Sequence, residues 1–262
     1  MYVGHFAIGV AIKSVSPQTP TLPIMLGVGF MDIVDGLLIV AGVDRVTPNL
    51  NSGPYLFFDL TFIDWDHSFL MAIVLSLVWA ALFWNDKRTA GIAALAVFSH
   101  FLADWPLHNH DLALYPYSEE HLGYGLWGKL GTTSWLLEGA FALGLIVFAE
   151  WRNSARGASY RWAVLVLVLL FFQMSPWLSP MKFVAQLSEP SAYLLHGMLV
   201  TIGFLVPGLL LTWLIDRAEQ PRMIRSLARI NAAQDSADHL GDRPAPQGFL
   251  RHKGTQVDRR NQ

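Results

Sequence analysis

The stretch of this chain best equipped for chemistry is Ser99-His100-Phe101-Leu102-Ala103-Asp104-Trp105-Pro106-Leu107-His108-Asn109-His110-Asp111. His100, Asp104 and His108 are spaced by four, so a helix and its exit turn would bring them to one face. Imidazole nitrogen beside carboxylate oxygen suits zinc, iron or manganese. A catalytic metal needs about three protein ligands and an open position. The water it binds is acidified and can attack an ester or phosphoryl group. Carboxylates further out then orient each ligand histidine through its second ring nitrogen.

Other groups of the same kind lie beside apolar sequence: His5, Asp32, Asp35, Asp59, Asp64, Asp66, His67, His121, Glu138 and His196. Asp32 and Asp35 are three residues apart and share a helix face. Several have plainer readings. Asp35 could simply hydrogen-bond a neighbouring helix. Asp64 and Asp66 could cap the helix that follows them. His196 reads as a packing histidine, and His110 and His121 as solvated loop residues. The chain has no HExxH and no GxSxG, which argues against zincin and serine-hydrolase chemistry. It has no cysteine, which removes thiolate ligands and a cysteine nucleophile.

These residues sit in an apolar chain. Of 262 residues, 53% are hydrophobic and 15% charged, well under the roughly 25% charged residues of a soluble domain. A net charge of −2 gives no reason to expect nucleic acid as a partner. Hydropathy marks seven segments, 2–13, 22–43, 67–84, 89–105, 132–150, 162–180 and 192–215. The first is short for a bilayer crossing, which takes about 20 residues. The expected fold is all-α: a polytopic transmembrane helical bundle of six or seven hydrophobic segments over residues 1–216. Residues 217–232 read as a basic amphipathic helix and 233–262 as a disordered cytoplasmic tail.

Basic residues set the orientation. With the N-terminus outside, Lys13, Lys87, Arg88, Arg152, Arg156, Arg161 and the nine basic residues from Arg217 onward fall inside. Only Arg45, Lys129 and Lys182 fall outside. The histidines and carboxylates then collect at the outer end, and the acidic residues of the inner end read as ordinary loop flanks.

The order of motifs resembles the YdjM/DUF457-like group of bacterial integral membrane proteins, labelled membrane-bound metal-dependent hydrolases. The matching pieces are Met1-Tyr2-Val3-Gly4-His5-Phe6-Ala7-Ile8-Gly9, Asp32 ten residues before Gly42, and Asp59 eight residues before His67-Ser68. They continue with Ser99-His100, Asp104, His108, the run Asp111–Pro116, Gly125-Leu126-Trp127 and Glu138. The resemblance covers residues 1–150, and 151–215 only as hydrophobicity. It departs where the wider group has a second histidine five residues before His67: here position 62 is Phe, and Asp64-Trp65-Asp66 precedes the remaining His.

The resemblance implies a hydrolase in the bacterial inner membrane, acting at the outer leaflet on a lipid or another membrane-associated ester or phosphoester. His67, His100, Asp104 and His108 are the expected ligands of a divalent metal, zinc first, with iron or manganese as alternatives. His5 is a fifth candidate ligand. Asp32, Asp59 and Asp111 are expected to orient ligands or act as a base, and Glu138 to move a proton. The loop 106–131 is expected to cover the site. Two other functions fit the same residues. A proton or metal-ion transporter would use Asp32, Asp35 and Glu138 as a relay. A non-catalytic scaffold or assembly factor would hold the cluster for structure alone.

Overall fold

The structure is a computed structural model, which describes the backbone of residues 1–241 and the side chains of residues 1–220. It is mostly helical, 65% helix and 5% strand.

Helix α1 (Val3–Val15) is buried on nearly every side. Its sequence is apolar all round, which is the pattern of a helix enclosed by others rather than one with a solvent face. Its one basic residue, Lys13, is buried too, and its Nζ donates to the carbonyls of Pro17 (3.0 Å) and Thr19 (2.7 Å). Those bonds close the turn into α2 (Thr21–Met25).

The second apolar segment, expected as one helix, is broken. A single 3₁₀ turn at Gly27–Gly29 separates α2 from α3 (Phe30–Val40). The glycines let other helices close in: a Cβ on Gly29 would lie 2.8 Å from the Phe204 ring. The break also leaves the Val28 carbonyl available to a side chain of the site.

Strands β1 (Arg45–Pro48) and β2 (Phe58–Phe62) form an antiparallel hairpin, pairing Val46 with Leu60 and Thr47 with Asp59. This hairpin is an exception within an otherwise helical fold. Each strand is only four or five residues long, so it carries too little alternation to be read as β. Next come the one-turn helix α4 (Asp64–His67), α5 (Phe69–Ala81) and α6 (Lys87–Asp104). The N-cap of α5 is Ser68, whose Oγ accepts the Met71 N–H at 3.4 Å. Asp64 instead accepts the Tyr117 N–H at 2.8 Å, and Asp66 pairs with His67, so neither caps α5. Helices α7 (Leu126–Leu130), α8 (Thr132–Ser154), α9 (Arg161–Gln173), α10 (Met181–Val184) and α11 (Ser191–Gly241) complete the order.

Three segments are long and apolar enough to cross a membrane: Thr21–Val40, Thr132–Ser154 and Ser191–Gln220. Six or seven such segments were expected. Three of the expected ones, Val3–Val15, Phe69–Ala81 and Arg161–Gln173, are apolar but only 13 residues long. At 1.5 Å per residue that is about 20 Å, against a hydrocarbon core of about 30 Å. Helix α6 has the length, but Lys87, Arg88, His100 and Asp104 dilute its apolar character. Helical backbone continues through 217–232 and on through 233–241, and residues 242–262 of the expected disordered tail lie outside the described residues.

Helices α3 and α11 meet at two glycines. A Cβ on Gly36 would fall 2.3 Å from the Gly197 carbonyl oxygen, so the backbones touch with no side chain between them. Gly36→Val should therefore force the helices apart and cost about 3 kcal/mol, the upper range for overpacking. A lowered thermal midpoint in detergent, beside an unaffected Gly144→Val control in open space, checks this.

Candidate metal centre

Four helices each deliver a residue to one buried point. His5 comes from the first turn of α1, Asp32 from the first turn of α3, His67 from the end of α4, and His100 and Asp104 from the last turns of α6. His108 lies one turn beyond α6 and keeps the helical phase, because its N–H still reaches the Asp104 carbonyl at 2.9 Å. The spacing of four therefore continues past the helix end.

Asp104 is the hub. Its Oδ2 lies 3.1 Å from His100 Nε2, 3.4 Å from His108 Nε2 and 3.9 Å from His67 Nε2. Its Oδ1 lies 3.1 Å from His5 Nε2 and also pairs with the Met1 amine. Asp32 closes the other side, with Oδ2 at 3.2 Å from His100 Nε2 and Oδ1 at 3.7 Å from His67 Nε2. Metal–nitrogen bonds of 2.0–2.1 Å in a tetrahedron put neighbouring ligand atoms about 3.3 Å apart. The observed separations bracket that edge.

The far side of each ring matters as much. His100 Nδ1 is 2.7 Å from the Val28 carbonyl freed by the 3₁₀ turn, and His108 Nδ1 is 3.1 Å from Asp111 Oδ1. His67 Nδ1 is hydrogen-bonded to Asp66 Oδ2. An acceptor on Nδ1 fixes the proton there and leaves Nε2 as a lone pair aimed inward. All three Nε2 atoms face Asp104, and those of His67 and His100 face Asp32 as well.

Some of the inward atoms have no aligned hydrogen bond among the described residues. His67 Nε2, His100 Nε2 and Asp32 Oδ2 are buried without an aligned hydrogen bond, although His100 Nε2 lies 3.2 Å from Asp32 Oδ2 and 3.1 Å from Asp104 Oδ2. A buried polar atom without a partner costs about 1–3 kcal/mol. Several such atoms converging on one point fit a cation. Their overlapping sets are His5–His100–Asp104, Asp32–His67–His100 and His67–Asp104–His108, each with ligand atoms within 4.8 Å of one another. A fourth set, Asp35–Asp66–His67, adjoins them through His67. Buried His and Asp groups here could thus hold a metal ion.

The structure brings together all five expected ligands, His5, His67, His100, Asp104 and His108, with Asp32 among them. Asp111 stands behind His108 as an orienting group. Two expected residues lie elsewhere. Asp59 is exposed on β2, where Asn49 Nδ2 donates to it at 2.8 Å. Glu138 is buried, but its oxygens are occupied: Oε1 accepts the N–H groups of Tyr2 (2.7 Å) and Gly4 (3.1 Å), and Oε2 the Tyr55 hydroxyl (2.6 Å). It caps the N-terminus of α1, where unpaired N–H groups favour an anion. Apolar context singled out Glu138 in the sequence, but context alone does not separate a cap from a catalytic acid.

His110 and His121 are exposed, and His196 is buried with its ring 4.2 Å from that of Phe58. The loop after α6 folds back on the centre. Gly125 N–H donates to the His108 carbonyl at 2.7 Å, and the Trp127 ring packs 4.3 Å from that of His108.

Two roles were not foreseen in the sequence. Asp66, open in the sequence between a cap and a replacement for the missing histidine, instead pairs with His67 Nδ1, a role that its position directly before that histidine could have suggested. The polar residues at the other end of α1 also form a network rather than loose flanks. Thr21 bonds Asp216, the Tyr160 hydroxyl donates to Glu219 at 2.5 Å, and Arg156 lies 3.7 Å from Glu219. These pairs tie the end of α9's preceding loop to α11. No family model, curated protein or solved structure matches the chain.

Proposed function

We propose that this protein is an integral membrane hydrolase that depends on a divalent metal and cleaves a membrane-associated ester or phosphoester. One observation carries the reading: three histidines whose Nδ1 atoms are each held by an acceptor turn their Nε2 atoms toward the buried Asp104 carboxylate, with the partly exposed Asp32 facing two of them. A purely structural cluster would satisfy those inward atoms with hydrogen bonds. The resemblance to the YdjM/DUF457-like group points the same way.

His67, His100, His108 and Asp104 would hold the ion, with His5 beside them. The mixed nitrogen and oxygen donor set favours zinc, then iron or manganese. Such an ion supplies a Lewis acid and a water acidified toward neutral pH. The protein's own residues do the rest. Asp32 borders the cavity that reaches the centre, and its side chain, 15% exposed, is more open than those of His67 and His108, which also line it. It is the group placed to take a proton from an attacking water and return it to the leaving oxygen. Asp66, Asp111 and the Val28 carbonyl keep the rings in one tautomer and orientation.

The relay required of a transporter finds less support. Glu138 is committed to the N-terminus of α1, and the titratable groups at the other end pair among themselves.

The test is turnover by purified, zinc-loaded protein on phosphoester and carboxylester lipids in mixed micelles. Release of product that stops with chelator and returns with metal is expected. No turnover of either class with a full complement of metal would reject the hydrolase.

We further propose that the apolar segments place the chain in the bacterial inner membrane with the N-terminus outside and the C-terminus inside, and with six or seven crossings. A reporter fused after residue 155 should score cytoplasmic and one after residue 120 extracytoplasmic. The reverse result would invert the topology.

A further inference from the structure

A cavity of about 390 Å³ starts at Asp32, His67, Asp104 and His108 and continues between α9 and α11. Its lining is mixed. Asp35, His196 and Gln173 add polar groups to its lining, and Val166, Leu170, Leu199, Gly203, Val206 and Leu210 make up an apolar stretch. The stretch of α11 from Leu199 to Leu210 spans about 16 Å at 1.5 Å per residue. A small polar substrate needs no such length. A molecule with one polar end and a long apolar remainder matches it.

The helix is built to leave this space. Pro207 has no N–H to give the Gly203 carbonyl four residues earlier. The Tyr2 hydroxyl supplies the missing donor at 2.9 Å, reaching across from the N-terminus of α1. That bond satisfies a carbonyl that would otherwise be unpaired in an apolar setting. Gly203 adds no side chain: a Cβ there would find nothing nearer than Tyr2 at 4.0 Å. The cleft also opens sideways. Ile202, Val206 and Leu210 line it and are still 48%, 54% and 40% exposed. Ser191–Gln220 is one of the segments apolar enough to cross a membrane, so that opening would face hydrocarbon.

We propose that the cleft between α9 and α11 seats a hydrocarbon chain of a membrane lipid that enters from the bilayer, with the lipid's ester or phosphoester at the His67–His100–Asp104–His108 centre. The role of the seated lipid as substrate rests on the hydrolase reading; its binding does not.

The experiment uses the full zinc-loaded chain in nanodiscs of phosphatidylcholine and phosphatidylglycerol containing a phosphatidylcholine with a photoreactive diazirine in one acyl chain. Illumination should label peptides covering Val166–Met174 and Leu199–Leu210. Gly203→Phe, which fills the cleft, should cut that labelling at least tenfold while leaving metal content unchanged. Leu170→Trp approaches from the opposite wall and serves if the first variant does not fold. Labelling spread evenly over the exposed apolar positions of all helices, or unaltered in both folded variants, would overturn the seat and leave ordinary boundary lipid or a second copy of the chain in the cleft. Focused labelling without turnover would keep the seat and reject only the hydrolase. If turnover is present, Gly203→Phe should lower it at least tenfold for a long-chain lipid and spare a water-soluble short-chain ester or phosphoester.

Discussion

His100→Gln should purify folded and empty of metal, where the parent carries a stoichiometric ion. The position is chosen because His100 belongs to two of the overlapping ligand sets and touches both carboxylates, 3.2 Å from Asp32 and 3.1 Å from Asp104. Loss of a group that merely orients a ligand costs roughly 10–100-fold in metal affinity. Loss of a ligand shared by both carboxylates should exceed that. Glutamine is the informative replacement. Its amide can still donate to the Val28 carbonyl, and it fills much of the space between the His5 ring, stacked 3.6 Å away, and Phe204. Alanine would leave a cavity there and confuse metal loss with unfolding. Elemental analysis beside a thermal melt separates the two. His110→Ala and His196→Ala should keep the parent's metal, since neither belongs to a ligand set. If either empties the protein as His100→Gln does, the ligand assignment fails. If His100→Gln keeps its metal, the centre is elsewhere.

The ligands were legible because they follow a helical rule. Asp104 and His108 fall four residues apart along α6 and its extension, and that spacing survives the helix end. His5, Asp32 and His67 were legible as polar groups in apolar sequence and through the motif order of the resemblance, with no helical spacing to join them to Asp104. What joins them is tertiary: the burial of α1 among other helices, the glycine break before α3, and the one-turn helix α4. None of these leaves a periodic trace. The seven apolar segments show the reverse case. Hydropathy locates them all, but cannot tell a lipid-facing helix from one enclosed by its neighbours. Helix α1 is the enclosed kind, and so its apolarity reports packing. The hairpin β1–β2 was invisible for want of length. Glu138 marks the limit of reading function from buried charge, because a helix N-terminus needs an anion as much as a reaction needs an acid.

Metal uptake should depend steeply on pH, and His108 sets the direction. Burial opposes a charge on its ring, but Asp111, and then Asp104, outweigh that and push its pKa up to about 9 in the metal-free protein. At pH 7 the empty site therefore holds a proton where the metal must bind. Uptake releases that proton, so raising the pH favours the metal. Below about 9 the apparent affinity should climb tenfold for each pH unit from this group alone, and above it the climb should flatten. Competition titration with a chelating dye between pH 6.5 and 9.5 measures the slope. The variant Asp111→Asn gives the test its edge. Removing the first of the two charges that hold the proton should lower the His108 pKa and move the plateau to lower pH. It should also weaken binding on the plateau by roughly 10–100-fold, because the ring loses its charged orienting partner. The two effects oppose each other near neutral pH and separate only at high pH. A parent with no slope would mean that His108 does not bind the ion, and the centre would then rest on His67, His100 and Asp104, with His5 the remaining imidazole in reach.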